Sequence, residues 1–514
     1  MIKKGVLAPQ VPANYRKSAR LVLRELRTKP AEYFIKKGET RALALFHEMA
    51  RRVPAYGDFL KKHKINPAQI KTVADFKKVP LIDKDNYLKK YPLEKLCWDG
   101  NFNKASWDIA ATSGSTGEPF YFPRTDEQNE QYAVMAELYL LTNFHIDTQS
   151  TLYINAFPLG VWIGGLFTYE AIKMVGRKGG YRLSVINPGI NKAQIIQAVK
   201  RFGGQFDQIV IGCYGPFLKD AIDEGIEQGI DWKRYNLKFI FSAEAFSETF
   251  RDYIVEAAGL KNPCRDTLNH YGTVDLGTMS YETPVSILIR KLALEHSQLY
   301  ERIFPIKFKL PTLTQFFPDL FFFESLAGNL VCSAFSGIPL ARYDLKDHGG
   351  IIDFSDMLGL LEDSNVDIAR EAKKSGIYDT MWKLPFVYVY ERNDFSVSFY
   401  ALQIYPETVR KALQAKEFRQ DVTGKFTMLV KFDKRQNQYL EINVELKPRR
   451  EDRGALRDRI EKAITEKLLK ENSEYQKTYS EISDRARPKV VFWAYESPLY
   501  FMPGTKQRWV KMAH

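Results

Sequence analysis

The stretch Thr112-Ser113-Gly114-Ser115-Thr116-Gly117-Glu118-Pro119 governs how the rest of this chain is read. Its two glycines let a backbone approach an anion closely, and its hydroxyls and exposed amides are donors for phosphate oxygens. It is not a Walker-type loop, because Gly117 is followed by Glu118 where that loop requires Lys and then Ser or Thr. The same composition also makes an ordinary flexible turn, so the surrounding sequence must decide between the two.

Downstream of the loop, from Thr151 to Ala334, short β-branched or aromatic runs alternate with longer helical stretches: Thr151 to Asn155, Gln208 to Tyr214, Leu237 to Ser242 and Asn329 to Ala334. That alternation predicts a layered α/β domain. Upstream, Ala42 to Lys64 has a helical pattern, and Val79 to Tyr91 is broken by Pro and Asp. Beyond Arg392 the pattern changes. A β-rich run from Phe386 to Tyr400 leads to a helix opened by Pro406, a position that tolerates proline. Two strands follow, joined by the polar turn Asp433 to Gln438; in the second, Leu440, Ile442, Val444 and Leu446 alternate with Glu441, Asn443 and Glu445. A helix carrying Leu456, Ile460, Ile464 and Leu468 at four-residue spacing and a strand from Lys489 to Tyr495 complete a small α+β unit. The expected organisation is a large domain over 1–390 and a small, mobile lid over 391–514.

With 514 residues the chain can bury large cores in two or three domains. Its 75 basic and 62 acidic residues give a net charge of +13, but the two signs are interspersed, as between Arg449 and Lys470. This favours a solvated basic surface, and no nucleic-acid-binding module is present in the sequence. Cys97, Cys213, Cys264 and Cys332 lie far apart, which argues against a disulfide framework or a zinc site. No run of eighteen apolar residues and no signal-peptide pattern is found, so the expectation is a cytoplasmic protein without membrane contact.

The loop Thr112 to Pro119 resembles the Ser/Thr/Gly signature of the acyl-adenylate-forming superfamily, and its surroundings resemble the phenylacetate-CoA ligase branch. Val79-Pro80-Leu81-Ile82-Asp83-Lys84 with Tyr91-Pro92 is similar to that branch's lead-in, and Asn155-Ala156-Phe157 with Gly164-Gly165-Leu166 to its substrate-proximal segment. Similarity runs from about Leu43 to the C-terminus, interrupted over 284–318 by what reads as a helical insertion. The resemblance implies ATP, Mg2+ and CoA as the reactants and cofactors, a small aryl or apolar carboxylic acid as substrate, and a homodimer by analogy.

Site residues carry over motif by motif. Thr112, Ser113, Gly114, Ser115, Thr116 and Gly117 would hold phosphate. Ser242-Ala243-Glu244 resembles the Gly-Ala-Glu turn bordering the adenine and acyl pockets. Asn269-His270-Tyr271-Gly272-Thr273-Val274-Asp275 resembles the Tyr-Gly-x-Ser/Thr-Glu motif, which makes Tyr271 the adenine platform, with Gly272 and Thr273 beside it, and Asp275 the metal carboxylate. Val274 and Asp275 depart from the usual hydroxyl and Glu. Arg342-Tyr343-Asp344-Leu345-Lys346-Asp347 aligns with Arg-Tyr-Arg-Thr-Gly-Asp, so Asp347 would accept the ribose hydroxyls; a charged surface turn is the plain alternative. The interval from Arg392 to Pro406 matches the family's, placing Arg392 as a phosphate or ribose contact and Asp394 as the hinge. Ala401 replaces a glycine of the loop lining the pantetheine tunnel. Gly504-Thr505-Lys506-Gln507-Arg508 resembles the terminal element that brings a catalytic lysine, here Lys506 with Lys511 as the alternative. Ala401 keeps a carrier-protein thiol or an amine open as acceptor in place of CoA. Val274 and Glu118 keep open a non-catalytic nucleotide-binding role.

Overall fold

The computed structural model describes residues 11–112, 119–306, 310–392, 396–451 and 454–501. Its first strands, β1 (Asp108–Ala111) and β2 (Tyr121–Arg124), form an antiparallel hairpin around the phosphate-loop segment, with Asp108 opposite Arg124 and Ala111 opposite Tyr121. The frame of the molecule is a mixed sheet of β3 (Thr151–Asn155), β4 (Leu183–Ile186), β5 (Gln208–Cys213), β6 (Leu237–Ser242), β7 (Thr267–Thr273), β8 (Gly277–Tyr281), β9 (Thr312–Phe316), β10 (Phe321–Leu326), β11 (Asn329–Ala334), β12 (Leu340–Ile352) and β13 (Phe386–Arg392). These pair in the order β10-β11-β12-β13-β9-β8-β7-β6-β5-β3-β4, making an 11-stranded sheet. The run from β4 through β7 is parallel and the remainder antiparallel. Helices between the parallel strands cover both faces, so these strands are apolar on both sides.

Alternation within each strand divides the core. Tyr153, Val210, Ile240 and Leu268 face the helices Asp126–Phe144 and Ile163–Gly179. Leu152, Ile154, Ile209, Ile211, Phe239 and Phe241 face the opposite way, into an apolar cluster that continues without a break into Phe399, Leu402, Phe426, Ile442, Ile460 and Val490 of the C-terminal unit. That unit comprises the short hairpin β14 (Val397–Phe399) and β15 (Leu402–Ile404), a helix Pro406–Leu413, and a three-stranded sheet of β16 (Val422–Phe432), β17 (Gln438–Leu446) and β18 (Lys489–Trp493). Helices Gly454–Glu471 and Ser473–Ile482 precede β18. The large sheet thus ends at Arg392, and the small unit starts at the hairpin beyond it.

The segment 284–318 departs from the expected helical insertion. Helices Pro284–Glu295 and Ser297–Ile303 are present, but Thr312–Phe316 is a strand inside the main sheet between β8 and β13. Its Thr and Gln residues broke the apolar run by which a buried strand is recognised. They are satisfied internally: Thr314 Oγ1 pairs with Ser280 Oγ at 2.8 Å, and Gln315 Nε2 donates to the carbonyls of Trp382 and Leu384 at 3.0 and 2.8 Å. The helix before it is anchored below the sheet. Arg290 reaches Glu282 at 2.7 Å and Glu248 at 2.9 Å, while Arg251 reaches the same two carboxylates at 2.8 Å each.

Candidate functional site

Ligands of open α/β sheets bind beyond the carboxyl ends of the parallel strands, and there the separated motifs meet. β6 ends in Ser242, and the next residue, Ala243, sits at φ +73°, turning the chain so that Glu244 leaves the sheet. β7 delivers Tyr271, Gly272 and Thr273, and a tight turn to β8 carries Asp275. Gly272 has no space for a side chain, since a Cβ there would lie 2.4 Å from the Gly277 carbonyl oxygen.

The Tyr271 hydroxyl donates to Asp347 Oδ2 at 2.7 Å, and its ring stacks on Phe323 with centroids 6.2 Å apart. Asp347 lies within β12, 6% exposed, and is the cross-strand partner of Arg392. The surface-turn alternative is therefore excluded for this motif. The aromatic cluster of Phe316, Phe317, Phe321 and Phe323 is core, with Phe323 forming the wall behind Tyr271.

Asp275 is 6% exposed; its Oδ2 accepts from the Tyr343 hydroxyl at 2.6 Å. Its Oδ1 accepts no hydrogen bond among the described residues and lies 3.4 Å from Lys84 Nζ. Lys84 is brought there by the lead-in segment, which is locked to β12: Ile82 N–H donates to the Arg342 carbonyl at 3.1 Å and Asp344 N–H to the Ile82 carbonyl at 2.9 Å. Lys84 was legible as part of a motif but not as a site residue, because only the tertiary fold sets it against Asp275. Among the described residues no group of three or more His, Cys, Asp or Glu could hold a metal ion. Magnesium takes one or two carboxylates and completes its shell with phosphates and water, so Asp275 fits it by giving the metal the oxygen that here pairs with Lys84.

Glu244 connects the two units. Its carboxylate accepts from the Ala401 N–H, from Ser398 Oγ at 3.3 Å and from Gln438 Nε2 at 3.4 Å, while its carbonyl accepts from Asn269 Nδ2 at 2.9 Å. Tyr400 and Ala401, the two residues of the β14–β15 turn, have φ of +48° and +65°. Such a turn favours glycine, so Ala401 holds this backbone at a cost of about 1–2 kcal/mol. Tyr400 is buried, its hydroxyl donating to Asp220 Oδ2 at 3.0 Å, and Arg485 pairs with the other oxygen of Asp220. Burial holds the Asp220 carboxyl above its ordinary pKa despite that guanidinium. Asp220, Tyr400 and Arg485 gave no sequence signal, being a lone acid, a lone aromatic and a lone base.

His270 is enclosed by Tyr132, Tyr139 and Tyr281 at ring distances of 5.8, 5.4 and 6.4 Å, and burial lowers its pKa to about 3. It is neutral at physiological pH. Thr112 donates its N–H to the Phe120 carbonyl at 3.0 Å and accepts from Phe120 N–H through Oγ1 at 2.9 Å, closing the base of the phosphate-loop segment. Ser113, Gly114, Ser115, Thr116, Gly117, Asp394, Lys506 and Lys511 lie outside the described residues.

The fold, a mixed sheet with a small α+β unit packed against it, is similar to that of solved structures of 2-hydroxyisobutyryl-CoA ligase, which match along nearly the whole chain. For the ligase with 2-HIB-AMP and CoA in the thioesterification state the TM-score is 0.61 at 15% identity, covering 95% of this chain and 91% of the ligase. For its postadenylation state with 2-HIB-AMP the TM-score is 0.53 at 15% identity, covering 100% and 95%. At this identity the likeness is one of fold. No protein-family model and no curated protein matches the sequence. Among the described residues no helix is long and apolar enough to cross a membrane.

Proposed function

We propose that this chain activates a carboxylic acid with ATP and transfers the acyl group to CoA, as an AMP-forming ligase similar to the phenylacetate-CoA ligases. The observation that carries this reading is the convergence of four segments far apart in sequence, at Lys84, Glu244, Tyr271 with Asp275, and Asp347, at one end of one sheet. Tyr271 offers an aromatic face for adenine, and Asp347, beside it, an acceptor pair for ribose. The acid carboxylate attacks the α-phosphorus, the bond to the bridging oxygen breaks, and pyrophosphate leaves with the electron pair. Lys506 is the point charge for the negative charge that builds there, with Lys84 beside Asp275 as the second cation. Magnesium bound at Asp275 would spread the charge of the phosphates. Much of the acceleration comes from positioning.

In the second half-reaction the CoA thiol loses its proton to solvent, its sulfur bonds to the acyl carbon, and AMP departs. Docking of the β14–β15 hairpin on Glu244 supports this step. On the resemblance, the Ala401 methyl would narrow the loop that lines a pantetheine tunnel, which favours a second reading in which a carrier-protein thiol or an amine is the acceptor.

Acid-dependent exchange of labelled pyrophosphate into ATP tests the first half-reaction. Wild type should exchange, Lys506→Ala should lose at least a hundredfold, and Lys84→Ala should lose about tenfold or more. Exchange by wild type with no acid on a broad panel would leave nucleotide binding as the only function. Acyl-CoA formation against acylation of added amine or carrier then separates the acceptors.

A further inference from the structure

The ion pair between Lys84 and Asp275 is held firmly at one end and loosely at the other. Asp275 is 6% exposed and stands on the β7–β8 turn, and its Oδ2 is fixed by the Tyr343 hydroxyl at 2.6 Å. Its Oδ1 is solvent-inaccessible and accepts no hydrogen bond; Lys84 Nζ, 3.4 Å away, is the cation paired with it among the described residues. A charge-assisted N–H···O bond closes at about 2.7–2.9 Å, so this ammonium balances the charge without making the bond. Burying a carboxylate oxygen without a hydrogen bond is costly, and Oδ1 is in that sense an incomplete site.

Lys84 is anchored through its backbone alone. Ile82, two residues before it, bridges to Tyr343, the residue that fixes Asp275, and the Lys84 carbonyl accepts from Lys89 N–H at 2.8 Å. Its side chain is 31% exposed, with the ammonium 6.0 Å from the centre of the Phe122 ring. The neighbouring acids offer it no second seat, since Asp83 and Asp344 are both taken by Lys346, at 2.9 and 2.7 Å. An ammonium on a four-carbon stem can leave Oδ1 without any backbone movement. Magnesium approaches a carboxylate oxygen to about 2 Å, where repulsion between the two cations drives an ammonium off the same oxygen.

We propose that Lys84 is a built-in counter-ion that keeps the cation site at Asp275 closed until a divalent metal displaces it, and that the ammonium so released is left for the phosphates of the nucleotide. This rests on the assignment of Asp275 as the metal carboxylate in the function proposed above. Binding of Mn2+ to the full chain without nucleotide tests it, with free Mn2+ read by electron paramagnetic resonance. Lys84→Gln should bind Mn2+ about tenfold more tightly than wild type, and Lys84→Arg, which keeps the charge, should stay near wild type. Asp275→Asn should abolish the gain when combined with Lys84→Gln. The second readout is Lys84 itself: acetylation of its amine by acetic anhydride, followed by peptide mass, should quicken about threefold or more on saturation of wild type with Mg2+ and should not respond in Asp275→Asn. Equal Mn2+ affinity in wild type and Lys84→Gln, a gain that survives Asp275→Asn, or a Lys84 reactivity indifferent to Mg2+ would each overturn the proposal. A metal affinity governed by Lys84, with no pyrophosphate exchange for any acid, would uphold the counter-ion while sinking adenylation.

Discussion

His270 and Glu474 show how burial sets the charge of single groups. The folded pKa of His270, about 3, lies below its unfolded value, so the unfolded chain binds the extra proton at intermediate pH. Its contribution is fully present above about pH 6.5 and is lost as pH falls toward 3. His270→Gln should therefore show a shallower loss of stability between pH 6 and 4 than wild type, measured by urea titration. Glu474, in the first turn of the helix Ser473–Ile482, behaves in the opposite way: burial raises it to about 7. The unfolded chain releases that proton near pH 4.5 and the folded chain near 7, so stability falls as pH rises through this window, by up to about 3 kcal/mol. Glu474→Gln should match wild type near pH 4.5 and exceed it above pH 7. A constant gap across the range would contradict the burial argument.

The helix Pro284–Glu295 is more than decoration on the sheet. Arg290 supplies half of the positive charge in a four-membered buried network with Glu248, Glu282 and Arg251. Removing one member leaves an uncompensated carboxylate, and Arg290→Leu should cost about 3–5 kcal/mol in denaturant unfolding. A loss below about 1 kcal/mol would mean that Arg251 alone neutralises both acids. The sheet elements also show what local pattern can conceal. β9 carries Thr312, Thr314 and Gln315, so it reads as polar linker in one dimension, although Thr314 and Gln315 find partners on three neighbouring segments. The small unit was legible almost strand by strand because apolar and polar residues alternate along β17, yet the face expected to be wet is buried: Glu441, Asn443 and Glu445 are enclosed and bonded by Lys431, Trp493 and Thr423. Its β14–β15 hairpin was merged with β13 into one β-rich run, since nothing in the local sequence marks the passage from one sheet to another.

At the scale of the molecule, the small unit is held to the large domain by the continuous apolar cluster and by polar contacts centred on Glu244 and Asp220. If this docking serves acyl transfer, weakening it should separate the half-reactions. Tyr400→Phe removes the hydroxyl that donates to buried Asp220, a bond worth about 1–3 kcal/mol. The expected outcome is unchanged pyrophosphate exchange with acyl transfer slowed roughly five- to a hundredfold. An equal loss in both half-reactions would place Tyr400 in general stability instead.

Periodicity and motif order were enough to reveal the layered α/β class and the strands and helices of the small α+β unit, because those features depend on neighbours along the chain. The pairing of Lys84 with Asp275 and the seating of Glu244 against a hairpin more than 150 residues away were decided only by tertiary packing. Each is a charge whose meaning lies in what faces it across the fold, and a single lysine or glutamate carries no periodic signature of its partner.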